Sequence, residues 1–234
     1  MACQHILFEP GESRGSLLAE YEPETGAPVL FQAIVDTFEH RILAHKCLLR
    51  LNGELVDAIQ AAARQAPQGL YFLNLVPSSI DEPALDLSST IDAVFDSGMK
   101  PGNLVFEMAE ADLARDPAHS HRIREYLGRR GFGFAMSRAG VGAGAESFHA
   151  ACDFEPDYIN LDRRLIHNFD RPVCAPAISK LVQIAEKSGA RVVAEGVDRS
   201  RMVENLWLLG VRLMQGHLFG DPAPCIAATL GFAP

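Results

Sequence analysis

Short apolar runs alternate with helical stretches along most of this chain, and that alternation limits its fold more than any other feature. Leu70–Val76, Asn103–Met108, Gly133–Met136, Tyr158–Leu161, Arg191–Ala194 and Arg212–Met214 read as strands. Between them, Leu87–Ser97, Asp116–Arg130, Ala175–Ser188 and Arg199–Leu209 read as helices, with Gly98, Gly131 and Gly189 as stop signals. Repeated strand–helix units imply a parallel sheet. This many units in 234 residues favours a closed α/β barrel over an open sheet. Ahead of them, the apolar runs Pro28–Val35 and Arg41–Leu51 flank the polar turn Asp36–His40 and predict a hairpin. Glu54–Gln65 follows, with Leu55, Ile59 and Ala62 at helical spacing. Residues 1–28 carry no sustained period and form a lead-in; residues 29–234 form one barrel domain.

Composition narrows the partners. A net charge of -9 argues against a general nucleic-acid binder, which needs a basic face to neutralise phosphates. No run approaches the length of a membrane span, and Met1–His5 lacks the basic start of a signal peptide. The five cysteines are scattered with no CxxC pair, which predicts reduced thiols in a cytoplasmic protein.

Several polar residues sit at the ends of different strands. Glu195 closes Arg191–Ala194 and precedes Gly196, Asn74 and Glu107 interrupt apolar runs, and Gln215 follows Leu213-Met214. Barrel enzymes gather their chemistry at the C-terminal ends of strands. Buried polar groups are costly unless paired. The set therefore predicts one pocket at the barrel mouth; the alternative is a series of separately satisfied core polars and an acid that caps the next helix.

In order and spacing, Phe31-Gln32-Ala33-Ile34-Val35-Asp36, Leu48-Leu49-Arg50, Leu73-Asn74-Leu75, Glu107-Met108-Ala109-Glu110, Pro156-Asp157-Tyr158-Ile159 with Asp162, Ala194-Glu195-Gly196-Val197, and Gln215-Gly216 with Phe219-Gly220 and Pro222 carry a resemblance. The chain resembles the EAL domain, the phosphodiesterase module of bacterial cyclic di-GMP signalling. The resemblance implies a modified (β/α)8 TIM-like barrel with one antiparallel strand near the N-terminus. It also implies hydrolysis assisted by Mg²⁺ or Mn²⁺, held by a cluster of carboxylates.

Mapped onto that family, several positions depart from it. The glutamate of the naming motif falls on Lys46 and its alanine on Cys47; the paired aspartates fall on Ser137 and Arg138, and the catalytic lysine on Asn160. Asn74 and Glu107 match metal ligands, and Glu195, Gln215 and Asp162 match active-site positions. Cations at Lys46 and Arg138 repel a divalent ion. The expectation is therefore a degenerate domain with no bound metal, which is not an enzyme. By resemblance, Gln32, Arg50 and Pro222 belong to the ligand site, with Lys46 and Arg138 neutralising ligand phosphates. An ion pair of Lys46 with Glu107 filling the metal position is the alternative, because a buried acid needs a partner.

These departures imply a cyclic di-GMP receptor, a regulator acting through a protein partner as in motility control, or both. Weak residual hydrolysis is the remaining alternative. A homodimer is plausible by resemblance. About thirty residues precede the barrel, too few for a sensory or cyclase domain, so the chain is expected to stand alone or to be cut from a longer protein. Three smaller expectations complete the reading: His119-Ser120-His121 as a solvated turn, Cys47 as a small buried residue, and Trp207 as core.

Overall fold

In the computed structural model, residues 27–50, 54–140 and 153–228 are described. Residues 1–26 of the lead-in and the Gly/Ala-rich run at 141–147 lie outside the described residues. Eight strands close into a barrel in chain order. They are β1 (Val29–Asp36), β2 (Arg41–Leu49), β3 (Tyr71–Asn74), β4 (Leu104–Ala109), β5 (Gly133–Ala139), β6 (Tyr158–Leu161), β7 (Arg191–Glu195) and β8 (Leu213–Gln215). β1 runs antiparallel to both neighbours, β2 and β8, and the other pairs are parallel. The modified barrel with one reversed strand is thus the observed fold.

The helices are α1 (Leu55–Gln65), α2 (Pro83–Asp86), α3 (Ser88–Asp96), α4 (Glu110–Arg115), α5 (Pro117–Gly128), α6 (Arg163–His167), α7 (Cys174–Ser188) and α8 (Ser200–Leu208). α2, α4 and α6 span 4, 6 and 5 residues, too short to show a 3.6-residue period, and the sequence reading passes over them. α7 shows how the longer ones form. Ala177, Ile178, Leu181, Val182, Ile184 and Ala185 make one buried stripe, and Gly189 in the left-handed region ends the helix.

Two apolar layers result. Ile34, Ala44, Phe72, Val105, Ala135, Val193 and Leu213 fill the barrel interior. The opposite faces of the strands pack under the helices in a larger cluster. A hairpin supplies no crossover helix, so the outer side of β1–β2 needs other cover. α1 provides part of it. The segment after β8 provides the rest: Ala223 pairs with Phe31, the Ile226 amide donates to Gln65 Oε1 (2.8 Å), and His45 Nε2 lies 3.2 Å from the Ala227 carbonyl. Burial there pushes the His45 pKa down, against the opposing effect of that carbonyl.

Two small expectations fail here. Trp207 is 43 % exposed, not core; its indole N–H donates to Thr37 Oγ1 (2.9 Å). His119 and His121 lie on α5 rather than in a turn. Their rings meet backbone carbonyls of Pro77, Pro117 and Asp153, so they tie α5 to its surroundings.

Candidate functional site

A strand's side chains alternate faces, so the residue two steps beyond an interior position points the same way, one layer higher. Moving two residues toward the mouth from Ala44, Phe72, Val105, Ala135, Tyr158, Val193 and Leu213 gives Lys46, Asn74, Glu107, Ser137, Asn160, Glu195 and Gln215. On the reversed β1, the same move from Ile34 gives Gln32. Every strand therefore changes from apolar to polar at one level. Residues read separately as strand-end polars form a single ring above the apolar plug.

Lys46 is the centre of that ring. Its ammonium lies 2.9 Å from Glu107 Oε2 and 2.6 Å from Glu195 Oε1. Asn160 donates its amide N–H groups to Glu107 Oε1 (2.8 Å) and Glu195 Oε1 (3.2 Å). Glu107 is 1 % exposed, Lys46 14 % and Glu195 19 % in their side chains. Burial pushes the lysine's pKa down; the two carboxylates outweigh it and hold the pKa above its ordinary value. Burial, together with Glu195, raises the pKa of Glu107, and Lys46 and Asn160 only partly offset this. Lys46 is engaged by two acids, so its charge neutralises them first. Cys47, on the outer face of the same strand, is buried, and its thiol is pushed up to about 12 by burial and then by Glu107. It is a packing residue, not a reactive thiol.

A second small network lines the seam where β1 meets β8. Gln215 donates to Gln32 Oε1 (2.8 Å), and Gln32 donates to the Gly220 carbonyl (3.0 Å). Arg50 follows β2 at the same end, half-buried, with Nη1 enclosed and unpaired. Asn160 Oδ1 and Gln215 Oε1 are likewise buried and unpaired. Pro222 is half-buried next to Ala223, the partner of Phe31.

Other candidates, Asn74 and Ser137 of the ring among them, lie outside the hydrogen-bonded network around Lys46. Asn74 is exposed, although it pairs in register with Glu107. Ser137 is buried. Arg138 adopts a left-handed φ of 56° at an irregularity in the β5–β6 pairing, and its side chain is exposed at the rim. Asp162 is held by its own helix: it accepts from the Arg164 amide (2.7 Å) and Arg164 Nε (3.0 Å) as the cap of α6.

Two contacts went unread in the sequence. Glu110 accepts the Gly140 N–H (2.7 Å), pinning the end of β5 to the start of α4. His217 Nδ1 lies 2.6 Å from Asp221 Oδ1 at the rim, and that hydrogen bond is the main cause of its raised pKa. Their i,i+4 spacing was the available signal. Because the folded pKa is raised, the pair adds stability below the unfolded value of about 6.5 and loses it as pH rises through the folded value. Asp221→Asn is expected to lower the His217 midpoint in an NMR titration. An unchanged midpoint would show that Asp221 does not hold the proton.

The described residues at the mouth do not fit Mg²⁺ or Mn²⁺. Such ions take several oxygen ligands in a tight shell, whereas Lys46 sits between the buried Glu107 and the half-buried Glu195. Among the described residues no group of three His, Cys, Asp or Glu is placed to hold a metal ion. Among them, too, no helix is long and apolar enough to cross a membrane.

Comparison with known proteins gives the geometry its context. The EAL domain family matches residues 54–222. Cyclic di-GMP phosphodiesterase RocR of Pseudomonas aeruginosa is 32% identical over 160 residues, which are 68% of this chain and 40% of RocR. A standalone EAL protein from Vibrio cholerae O395, solved with c-di-GMP, superposes with a TM-score of 0.76 at 25% identity, covering 86% of this chain and 94% of that one. Klebsiella pneumoniae BlrP1, in a manganese and cyclic di-GMP complex, gives a TM-score of 0.78 at 23% identity, covering 87% and 58% of the two chains. The chain spans 40% of RocR and 21% and 20% of the next two curated relatives.

These relatives correct one expectation. The replaced residues led to the reading that the chain is not an enzyme. RocR, MucR and PdeL are all cyclic di-GMP phosphodiesterases, MucR being also a cyclase. The similarity therefore points to the enzymatic branch. The physical reason is that substitution at five positions, Lys46, Cys47, Ser137, Arg138 and Asn160, leaves Glu195, Glu107, Asp162, Asn74 and Gln215 on or just past the strand ends. From its barrel, its polar mouth and these matches, the chain belongs to the EAL domain family of cyclic di-GMP signalling.

Proposed function

We propose that the mouth of this barrel binds cyclic di-GMP. The observation that carries the reading is the set of buried, unpaired polar atoms around the mouth: Arg50 Nη1, Asn160 Oδ1 and Gln215 Oε1. Buried polar atoms are nearly always paired, so three at one end of a barrel are a demand for a polar ligand. A cyclic dinucleotide supplies phosphate oxygens for Arg50 and base edges for the amides. Gln32 and Pro222 line the same rim. Calorimetry with cyclic di-GMP is expected to show binding. Arg50→Ala is expected to weaken it about tenfold to a hundredfold, the loss of one charged hydrogen bond of about 1.5–3 kcal/mol. No heat at tens of micromolar ligand ends the reading.

Hydrolysis is the second reading, favoured by the relatives and by the acids retained at the mouth. Water would add to phosphorus as one ester P–O bond breaks, with Glu195 taking a water proton and the leaving oxygen gaining one. The product is the linear dinucleotide. Its appearance above background, and its loss in Glu195→Gln, separates turnover from binding alone. Output through a regulatory protein partner belongs to the same proposal. Co-purification that changes with added cyclic di-GMP tests it.

A further inference from the structure

Lys46 occupies a position of unusual chemistry. Two acids from different strands, Glu107 on β4 and Glu195 on β7, meet at the ammonium of a third strand. Asn160, from β6, supplies N–H donors to the same acids. Three of the four carboxylate oxygens are thus already engaged: Glu107 Oε1 and Oε2, and Glu195 Oε1. The donors are fixed by the barrel, because Lys46 pairs in register with Gln32 and Phe72, and Asn160 with Val193.

We propose that Lys46 is a tethered counter-cation that holds divalent metal off the Glu107–Glu195 pair and makes ligand binding at this mouth independent of metal. The geometry gives the reason. An ion about 2.1 Å from Glu107 Oε2 would lie no further than about 5 Å from the Lys46 ammonium, given their 2.9 Å contact. The two cations would compete for the same oxygens, and only one is tied to the chain. Asn160 adds to the exclusion, since it turns N–H groups, not lone pairs, toward the acids. Among the described residues, two further acids are engaged elsewhere, Asp162 by Arg164 and Glu110 by the Gly140 amide. Lys46 thereby cancels one of two negative charges that would otherwise repel a phosphodiester. Removing it uncovers the acid pair, and Lys46→Glu adds a third carboxylate to that pair.

The metal half of this proposal stands without the ligand reading; the ligand half rests on it. The test uses the whole chain. Manganese binding is measured first with MnCl₂ alone, by loss of the free Mn²⁺ spin-resonance signal and by thermal denaturation against EDTA. The wild-type protein is expected to bind no Mn²⁺ at submillimolar concentration and to melt at the same temperature in both buffers. Lys46→Glu is expected to bind Mn²⁺ at least tenfold more tightly and to melt higher with Mn²⁺ than with EDTA. Submillimolar Mn²⁺ binding by the wild type overturns the proposal whatever the variant does, as does a folded Lys46→Glu that binds no better. Cyclic di-GMP is then titrated with EDTA and with Mn²⁺. Equal affinity within about twofold supports metal independence, and binding only with Mn²⁺ overturns it. Absence of heat in both buffers overturns the ligand half and the proposed function, while the manganese measurements still decide the metal half.

Discussion

Lys46→Ala is expected to lower the stability of the folded barrel by about 3–5 kcal/mol, the usual consequence of removing one member of a buried ion pair. The loss comes from what remains. Glu107 is 1 % exposed and would face Glu195 with only Asn160 to compensate. In a protein of this size the fall corresponds to roughly 6–20 °C in melting temperature. Its pH dependence has a definite sign. Burial and Glu195 already raise the Glu107 pKa, and without Lys46 it rises further. The folded variant then binds a proton that the unfolded chain has lost, so the variant regains stability as pH falls through the raised folded value toward the unfolded carboxylate value of about 4.3. Urea denaturation of Lys46→Ala, Glu107→Gln and the double variant isolates the effect. The double variant should recover most of the loss, because the acid left without Lys46 is then Glu195, which at 19 % exposure still reaches water, while the enclosed Glu107 position is neutral. A single variant within about 1 kcal/mol of wild type would show that water reaches the acids freely.

Gly216→Ala carries the second large effect, about 3 kcal/mol or more, at the upper end of overpacking. A Cβ at this position would collide with the carbonyl oxygen and amide nitrogen of Val197. That contact is backbone against backbone, so no side-chain rotation relieves it. The Val197 amide donates to the Gln215 carbonyl (3.0 Å), and the Leu218 amide donates to the Val197 carbonyl (3.2 Å). These bonds clamp the turn after β7 to the turn after β8. Prying them apart moves Glu195 and Gln215 relative to each other. The variant should therefore lose both stability, measured by thermal denaturation, and cyclic di-GMP affinity, measured by calorimetry. A melting temperature within a degree or two of wild type would mean that the two turns separate at little cost.

The barrel was readable because its strands and longer helices announce themselves differently. Tyr158–Leu161 is a run of strand length, apolar but for Asn160, and it is the observed β6. The hairpin was readable because Asp36–His40 is polar between two apolar runs; Asp36 caps the turn by accepting from the Phe38 and Glu39 amides. Inside and outside were not readable. Both faces of a barrel strand are buried, so Phe72 in the interior and Leu73 under the helices look alike in sequence. Only the polar residue at the end of each run marks the level of the mouth.

The site was legible as a set of positions and illegible as a set of contacts. An ion pair between Lys46 and Glu107 could be anticipated because the family resemblance puts both residues at the metal position. That the same ammonium also reaches Glu195, and that Asn160 bonds to both acids, depends on how four strands, β2, β4, β6 and β7, close. Arg138 illustrates the opposite failure. Its sequence position suggested the cluster, but its left-handed backbone leaves the side chain exposed at the rim. Asp162 was drawn away by its neighbour Arg164 in a short helix that periodicity does not reveal.

The seam between β1 and β8 has a consequence for how the domain is made. The hydrogen bonds from Gln215 to Gln32 and from Gln32 to Gly220 join residues 183 and 188 positions apart. Contacts of such long range form late, since a long loop must close before they repay it. A growing chain leaving the ribosome can stack its strands one after another, yet it has no finished mouth until the last strand and the segment behind it have emerged. A closed mouth in this domain is therefore a property of the completed barrel, acquired at once rather than in stages.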